Sequence, residues 1–285
     1  MDVTALRWSI WEGSIPCKIE LDSSESCVRA DVLPYFTKLP RLSYIPLYIS
    51  QIFQFFEPWL DTKVASVDNA WLEFEGVPLK WHWPIGVLYD LFIGRDPSDT
   101  REEDNEEYRL PWSLILHFEN FPTKHLMRAG SSQTFYDAWN NCLKESSSVR
   151  NGSAKTVMSL SKAESTKLWE GLVEHDFDKF WGVNDKLISD TNGPMRNFPI
   201  RVYIPSTPRV VQLPVSQFLD SKEPQTIGTA LHSLIPELFK SKRAALVARP
   251  VVHGVVVAMN TPLAELGQLA VYPDGFLHVT LAMMS

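Results

Sequence analysis

AWLEFEGVPLKWHWPIGVLYDLF, residues 70–92, sets two short apolar runs, AWLEFE (70–75) and VPLKW (77–81), on either side of Gly76. Such runs around a lone glycine read as two strands joined by a tight turn. Pro84 then stands where proline is best tolerated, at the first turn of a helix, and IGVLYDLF (85–92) reads as that short helix. Upstream, RWSIWEG (7–13) and PCKIEL (16–21) alternate weakly and read as two strands around a Gly-Ser turn. LSYIPLYISQIFQFFEPWL (42–60) carries Tyr48, Ile52, Phe55, Phe56 and Trp59 at three- and four-residue steps, with Pro46 near its start, and reads as an amphipathic helix. Downstream, WSLILHF (112–118) is the near-continuous apolar run expected of a strand buried at a sheet centre. The order is β-β-α-β-β-α-β.

The last part of the chain repeats that order. PIRVYI (199–204) and RVVQLPV (209–215) form a predicted hairpin around a Ser-Thr-Pro turn. TIGTALHSLIPELF (226–239) is a predicted helix with Ile227, Leu231, Leu234, Ile235 and Leu238 on one face. AALVAR (244–249) and HGVVVAM (253–259) are the next strands. A short helix, LAELGQL (263–269), is expected to be capped by Thr261, and GFLHVTL (275–281) is the final strand. Two hairpins around a helix, then a short helix and a closing strand, is the plan of the ubiquitin-like β-grasp.

Residues 126–190 between the two repeats are helical. Ser161-Lys162-Ala163-Glu164 has capping-box spacing ahead of an apolar run that carries Leu168, Leu172, Phe177, Phe180, Trp181, Leu187 and Ile188 across an expected break at His175-Asp176. The predicted fold class is therefore α+β, with two ubiquitin-like β-grasp domains flanking a helix-rich domain. The expected boundaries are residues 1–125, 126–190 and 197–285.

Composition supports a folded globular chain, at 45% hydrophobic and 12% aromatic residues with ten tryptophans. Net charge is -7, and the run DPSDTREEDNEE (96–107), with seven acids and one arginine, accounts for -7 + 1 = -6 within itself. No basic field marks a nucleic-acid binder, and the acidic run reads as a solvated loop. The three cysteines, Cys17, Cys27 and Cys142, have neither metal-ligand spacing nor the density of a disulfide framework. No signal pattern or spanning apolar run is present, so the expected setting is the cytoplasm. No cofactor or metal motif occurs: there is no P-loop, no GxGxxG after a strand and no HExxH.

Four features invite a chemical reading. WNNCLKESSS (139–148) places Cys142 and Lys144 on a predicted helix of roughly Ser132 to Glu145. At about 100° per residue, Phe135, Ala138, Trp139, Cys142 and Leu143 share an apolar stripe, and Lys144 lies about 180° from Phe135. Cys142 is thus expected to be a small core residue with no lysine, arginine or histidine one helical turn away to lower its pKa. Lys144 is expected to project to solvent. His82, between Trp81 and Trp83, reads as a packed or hydrogen-bonded corner histidine, and Lys240-Ser241-Lys242-Arg243 as a solvated basic loop with weak potential for anionic lipid. A ubiquitin-like modifier needs a diglycine tail, and LAMMS follows a strand directly, so a donor role is not expected.

The blocks WLEFEGVPLKWHWPIGVLYDL (71–91), LPWSLILHFENFP (110–122), LWEGLVEHDFDKFW (168–181) and YPDGFLHV (272–279) strongly resemble the autophagy protein 5 family. They are long, in order, and spread over nearly the whole chain. Relative to shorter members, 96–107 looks like an insertion. The resemblance implies a non-catalytic scaffold with no cofactor. It implies that Lys144, by its place in CLKE, receives through an isopeptide bond the C-terminal glycine of the ubiquitin-like autophagy protein 12. It further implies groove binding of the N-terminal helix of the coiled-coil autophagy protein 16, and encounters with the conjugating enzymes of that system. The complex would act like a ligase, promoting transfer of an autophagy protein 8-type modifier to phosphatidylethanolamine, with peripheral contact at the preautophagosomal membrane. The alternative is a non-covalent adaptor with two ubiquitin-like modules, in which no lysine matters.

Overall fold

The structure, a computed structural model, describes residues 2–27, 32–61, 63, 65–94, 110–128, 132–189, 195–205, 207 and 209–284. The acidic run 96–107 lies outside them. The chain divides into two compact units, Ser14–Tyr89 with Glu102–Ala138, and Met1–Gly13 with Asp90–Arg101 and Trp139–Ser285.

The first residues depart from expectation. Val3–Trp11 is a helix, α1, and not a strand. Asp2 caps it by accepting from the Thr4 N–H, and Trp8 and Trp11 meet one partner, Phe177, at ring distances of 4.9 and 6.0 Å. The segment is too short for its helical period to stand out against weak alternation, and what holds it lies far along the chain.

The N-terminal sheet is built from β1 (Ser14–Leu21), β2 (Tyr35–Pro40), β3 (Trp71–Phe74), β4 (Val77–Pro78) and β5 (Trp112–His117), in the order β2-β1-β5-β3-β4. The first hairpin partner is thus 35–40 and not the expected 7–13. β5 is central as predicted, parallel to β1 with Ile19 opposite Leu114. The Gly76 turn also forms as predicted, with Glu75 and Gly76 both at positive φ, 48° and 78°. This is the φ pattern that two-residue hairpins demand.

The helix expected over 42–60 is interrupted. Only α2 (Ile49–Phe56) is α-helical, with 3-10 turns at Ile45–Leu47 and Glu57–Trp59. Pro46 and Pro58 sit in those turns, where a missing N–H and a restricted preceding residue break the i→i−4 ladder. Ile52 and Phe56 are buried, as are Ile19, Leu114 and Leu116 of the sheet, all core residues of the same unit. α3 (Ile85–Ile93) follows Pro84 as expected.

The helix-rich stretch contains α4 (Ser132–Asn151), α5 (Lys155–Met158), α6 (Lys162–Val173) and α7 (Phe177–Ile188). The capping box of α6 is present, with Ser161 and Glu164 bonding reciprocally. The break falls at His175, φ 55°, and Asp176 caps α7. α4 runs six residues past the expected end at Glu145, through the serines, and stops where Gly152 at φ 77° donates back to the Ser148 carbonyl.

The C-terminal sheet repeats the first. Its strands are β7 (Ile200–Tyr203), β8 (Val210–Val211), β10 (Ala248–Val252), β11 (Val255–Val256) and β12 (Leu277–Met283), ordered β11-β10-β12-β7-β8. Again the last strand is central and parallel to the first, with Val279 opposite Val202. A two-residue pair, β6 (Asn197–Phe198) with β9 (Val215–Ser216), lies apart from it. Val279 and Leu281 bury against Ile227, Ala230 and Leu231 of α8 (Ile227–Leu234) in one core cluster. Each such fully buried aliphatic side chain contributes about 1.5–3 kcal/mol.

Three predicted boundaries shift here. α8 stops at Leu234 because Pro236 forces Ile235 out of the helical region. The hairpin turn falls on His253-Gly254, both at positive φ, so β10 begins at Ala248 and 244–247 is not strand. α9 (Leu263–Leu269) has Pro262 at its cap position with no side-chain bond, and Thr261 instead offers its carbonyl to the Ile227 N–H.

Candidate functional site

α4 carries both residues that the sequence singles out, and its later half belongs to the C-terminal unit. Cys142, Leu143, Glu145 and Ser146 all meet residues of the C-terminal sheet or the YPDG turn before β12. Arg201, on β7, is the hub. Its guanidinium donates to Glu145 Oε2 at 3.0 Å and to Gln212 Oε1 at 2.7 Å, and lies 3.6 Å from Asp274 Oδ2. It also stacks over Phe276, 3.7 Å from the ring centroid. Gln212 donates to the second Glu145 oxygen at 2.7 Å, so both carboxylate oxygens are engaged.

Behind Arg201 the chain of contacts continues into the core. Asp274 accepts from the Phe276 N–H at 3.1 Å and meets His278 Nε2 at 2.9 and 3.0 Å. His278 Nδ1 is 2.7 Å from the Tyr203 hydroxyl. Burial pushes the Asp274 carboxyl up, but His278 and Arg201 together more than cancel this, and it ends below its ordinary value. Burial drives the Tyr203 phenol well above its ordinary value. The network is therefore a fully partnered buried charge cluster, the form in which such charges are tolerated.

The YPDG turn is shaped to let α4 approach. Gly275 has φ 82°, and a Cβ there would come within 2.2 Å of Ser146 Oγ. Glycine meets both demands at once. Leu143, Trp139 and Phe135 are buried as the stripe predicted, and Trp139 packs 5.4 Å from the Trp169 ring of α6.

Cys142 is half-buried and not wholly apolar in its surroundings: Arg201 Nη1 is 3.8 Å from its sulfur. That cation comes from β7, 59 residues away, so helix periodicity alone does not reveal it. Burial still dominates and, with Asp274, holds the thiol above its ordinary pKa, which keeps it protonated and weakly nucleophilic.

Lys144 is half-buried, a correction to the expected full exposure. Among the described residues it makes no hydrogen bond or ion pair. Its helical neighbours at three and four residues are Asn140, Asn141, Ser147 and Ser148, none of them charged. The nearest carboxylate in sequence, Glu145, is engaged on both oxygens by Arg201 and Gln212.

His82 stands exposed at its corner, edge-on to the buried Trp81 and Trp83 at 5.4 and 6.0 Å. Trp81 fixes that corner by donating to the Met127 carbonyl at 2.6 Å. Cys17 lies in β1, where burial pushes its thiol up to about 12. Among the described residues no group of His, Cys, Asp and Glu is arranged to hold a metal. No described helix is long and apolar enough to cross a membrane.

Comparison with known proteins gives three successive matches. "Autophagy protein ATG5, UblA domain" matches residues 10–118, the "alpha-helical bundle region" of the same protein matches 132–190, and its "UblB domain" matches 197–281. Autophagy protein 5 of Penicillium rubens is 38% identical, over 98% of this chain and 97% of its own. That of Aspergillus oryzae is 37% identical, over 99% and 98%. The crystal structure of Kluyveromyces marxianus Atg5 shares the fold at a TM-score of 0.77, with 22% identity over 97% of this chain and 98% of that one. Two ubiquitin-like domains around a helical bundle, matched in order along nearly the whole length, lead to one conclusion: the chain belongs to the autophagy protein 5 family.

Proposed function

We propose that this chain is the acceptor and scaffold of an autophagy conjugation complex, and that Lys144 receives the C-terminal glycine of the ubiquitin-like autophagy protein 12. The observation that carries the reading is an amine with no ion pair among the described residues, on a helix whose adjacent carboxylate is held by Arg201 and Gln212. A salt-bridged amine is held protonated, whereas aminolysis needs its lone pair.

In the step itself, Lys144 Nζ attacks the carbonyl of the modifier's thioester. The N–C isopeptide bond forms, the C–S bond breaks, the conjugating enzyme's thiolate leaves, and the ammonium formed gives a proton to solvent. The acceptor contributes position and access, and the thioester supplies the driving force. α4, docked through Arg201 and Gly275, gives the amine a fixed base.

The family also supports the division into residues 1–125, 126–190 and 197–285, and a role for the conjugate in binding the N-terminal helix of autophagy protein 16 in a helix-in-groove mode. The assembled complex then promotes transfer of an autophagy protein 8-type modifier to phosphatidylethanolamine, as a peripheral component of the preautophagosomal membrane.

The test is reconstitution with the activating and conjugating enzymes and autophagy protein 12. Wild-type chain should shift to a covalent adduct whose branched peptide maps to Lys144 by mass spectrometry. Lys144→Arg should give none; an adduct in normal yield from that variant overturns the assignment.

A further inference from the structure

The basic stretch Lys240-Ser241-Lys242-Arg243 has no part in the reading above. It opens an irregular segment, KSKRAALV (240–247), that runs from the end of the α8 region to β10. Lys240, Lys242, Arg243 and Ala244 are exposed, and so are Leu246 at 60% and Val247 at 37%. The segment has a defined backbone. Ser241 Oγ accepts from the Arg243 and Ala244 N–H groups at 3.2 and 3.1 Å. The Lys242 carbonyl lies so near Gly228 that a Cβ there would be 2.2 Å from it. Val247 O accepts from Met284 N at 2.9 Å, which sets Met284, 38% exposed, across the ladder from Val247.

Three cations thus stand directly before two exposed aliphatic side chains, with Met284 beside them and no carboxylate anywhere in 240–249. Singly scattered apolar residues are ordinary on a surface, but here Leu246, Val247 and Met284 stand together beside three cations. We propose that this segment is a peripheral contact for an anionic lipid bilayer. Lys240, Lys242 and Arg243 meet headgroup phosphates and carboxylates, while Leu246 and Val247 enter the acyl boundary. An acidic protein partner would satisfy the cations, but it would need a preformed apolar pocket beside its carboxylates to take Leu246, Val247 and Met284. A bilayer supplies both, and stable peripheral attachment takes two such signals. The proposal deepens the functional reading in that it rests on the assembly working at a lipid surface; it does not depend on Lys144.

The test is flotation of the full chain with vesicles of phosphatidylcholine and phosphatidylserine, against vesicles of phosphatidylcholine alone. The chain should bind the first and not the second, with affinity falling as salt rises. Each cation is worth about fivefold in affinity, so the combined Lys240→Ala, Lys242→Ala and Arg243→Ala variant should bind about 100-fold more weakly at an unchanged melting temperature. Leu246→Ser alone should weaken binding in a salt-independent way. Lys144→Arg should float like wild type, so failure of the acceptor assignment leaves this result standing. Three outcomes overturn the proposal: no flotation with the anionic vesicles, equal flotation with both vesicles, or unchanged flotation of the triple variant. Binding to polyglutamate without binding to vesicles would do the same and would make the segment a protein-docking surface.

Discussion

At Gly275 a single methyl group separates a docked helix from a displaced one. The position needs a positive φ and leaves no room for a Cβ beside Ser146. Gly275→Ala should therefore cost about 1–3 kcal/mol in chemical denaturation. Combining it with Ser146→Ala should recover part of that loss, since the two residues share one clash. Asp274 makes a second prediction. Its folded pKa lies below the ordinary carboxylate value, so the stability it contributes is full above that value and is lost as pH falls through the folded one. Asp274→Asn should cost about 3–5 kcal/mol near neutral pH, by leaving Arg201 and His278 without their buried partner. It should also flatten the acid limb of the stability curve. His175 adds a limb at higher pH. Burial lowers its pKa, partly offset by its bond to the Trp11 carbonyl, so the fold holds it neutral and loses stability as pH falls from the ordinary histidine value toward the lowered one. His175→Asn, which tolerates the same backbone, should remove that limb in pH-dependent melting. None of these contacts is legible from sequence spacing. YPDGFLHV is conspicuous as a string, but the partners of its Asp and Gly, Arg201 and Ser146, lie more than 70 residues upstream.

Among the elements, those whose cause is local were readable. The Gly76 hairpin, the capping box of α6, the break before α7 and the central strands β5 and β12 all follow from a turn residue, a cap or an unbroken apolar run. Elements defined by distant partners were not. α1 alternates weakly like a strand, because the ring that Trp8 and Trp11 share, Phe177, belongs to α7. β2 holds exposed Phe36 and Lys38 on an edge and lacks an apolar run, and its pairing with β1 makes it a strand. Prolines shortened two helices whose apolar periodicity ran on past them. The capping box offers the prediction at this scale. Ser161→Ala should destabilise the start of α6 by about 0.5–2 kcal/mol, seen as faster amide exchange in Lys162–Ser165 with the end of the helix less affected. Glu164 titrates at about 2, held down by Lys186 and Ser161, so the box should persist in mild acid and open only as pH nears that value.

Across the whole molecule, one topology is written twice with little shared sequence. Both sheets put the last strand at the centre, parallel to the first. What differs is what each unit recruits from elsewhere in the chain. The C-terminal unit includes residues 1–13. Arg7 pairs with Asp185 at 2.6 Å, donates to the Gln268 carbonyl and lies over Trp181, while Trp11 stacks on His175 at 4.7 Å with reciprocal hydrogen bonds. Trp11 is 1% exposed, and Trp11→Ala should cost about 3–5 kcal/mol, with the loss of amide protection concentrated in α6 and α7.

That placement of α1 has a consequence for how the molecule is made. During synthesis Val3–Trp11 emerges well before its partners Phe177, Asp185 and Gln268. Throughout that interval two tryptophans wait on a nascent chain with nothing to cover them. The C-terminal unit cannot close until Val3–Trp11 fold back onto partners made much later, so its completion waits on the synthesis of those distant residues.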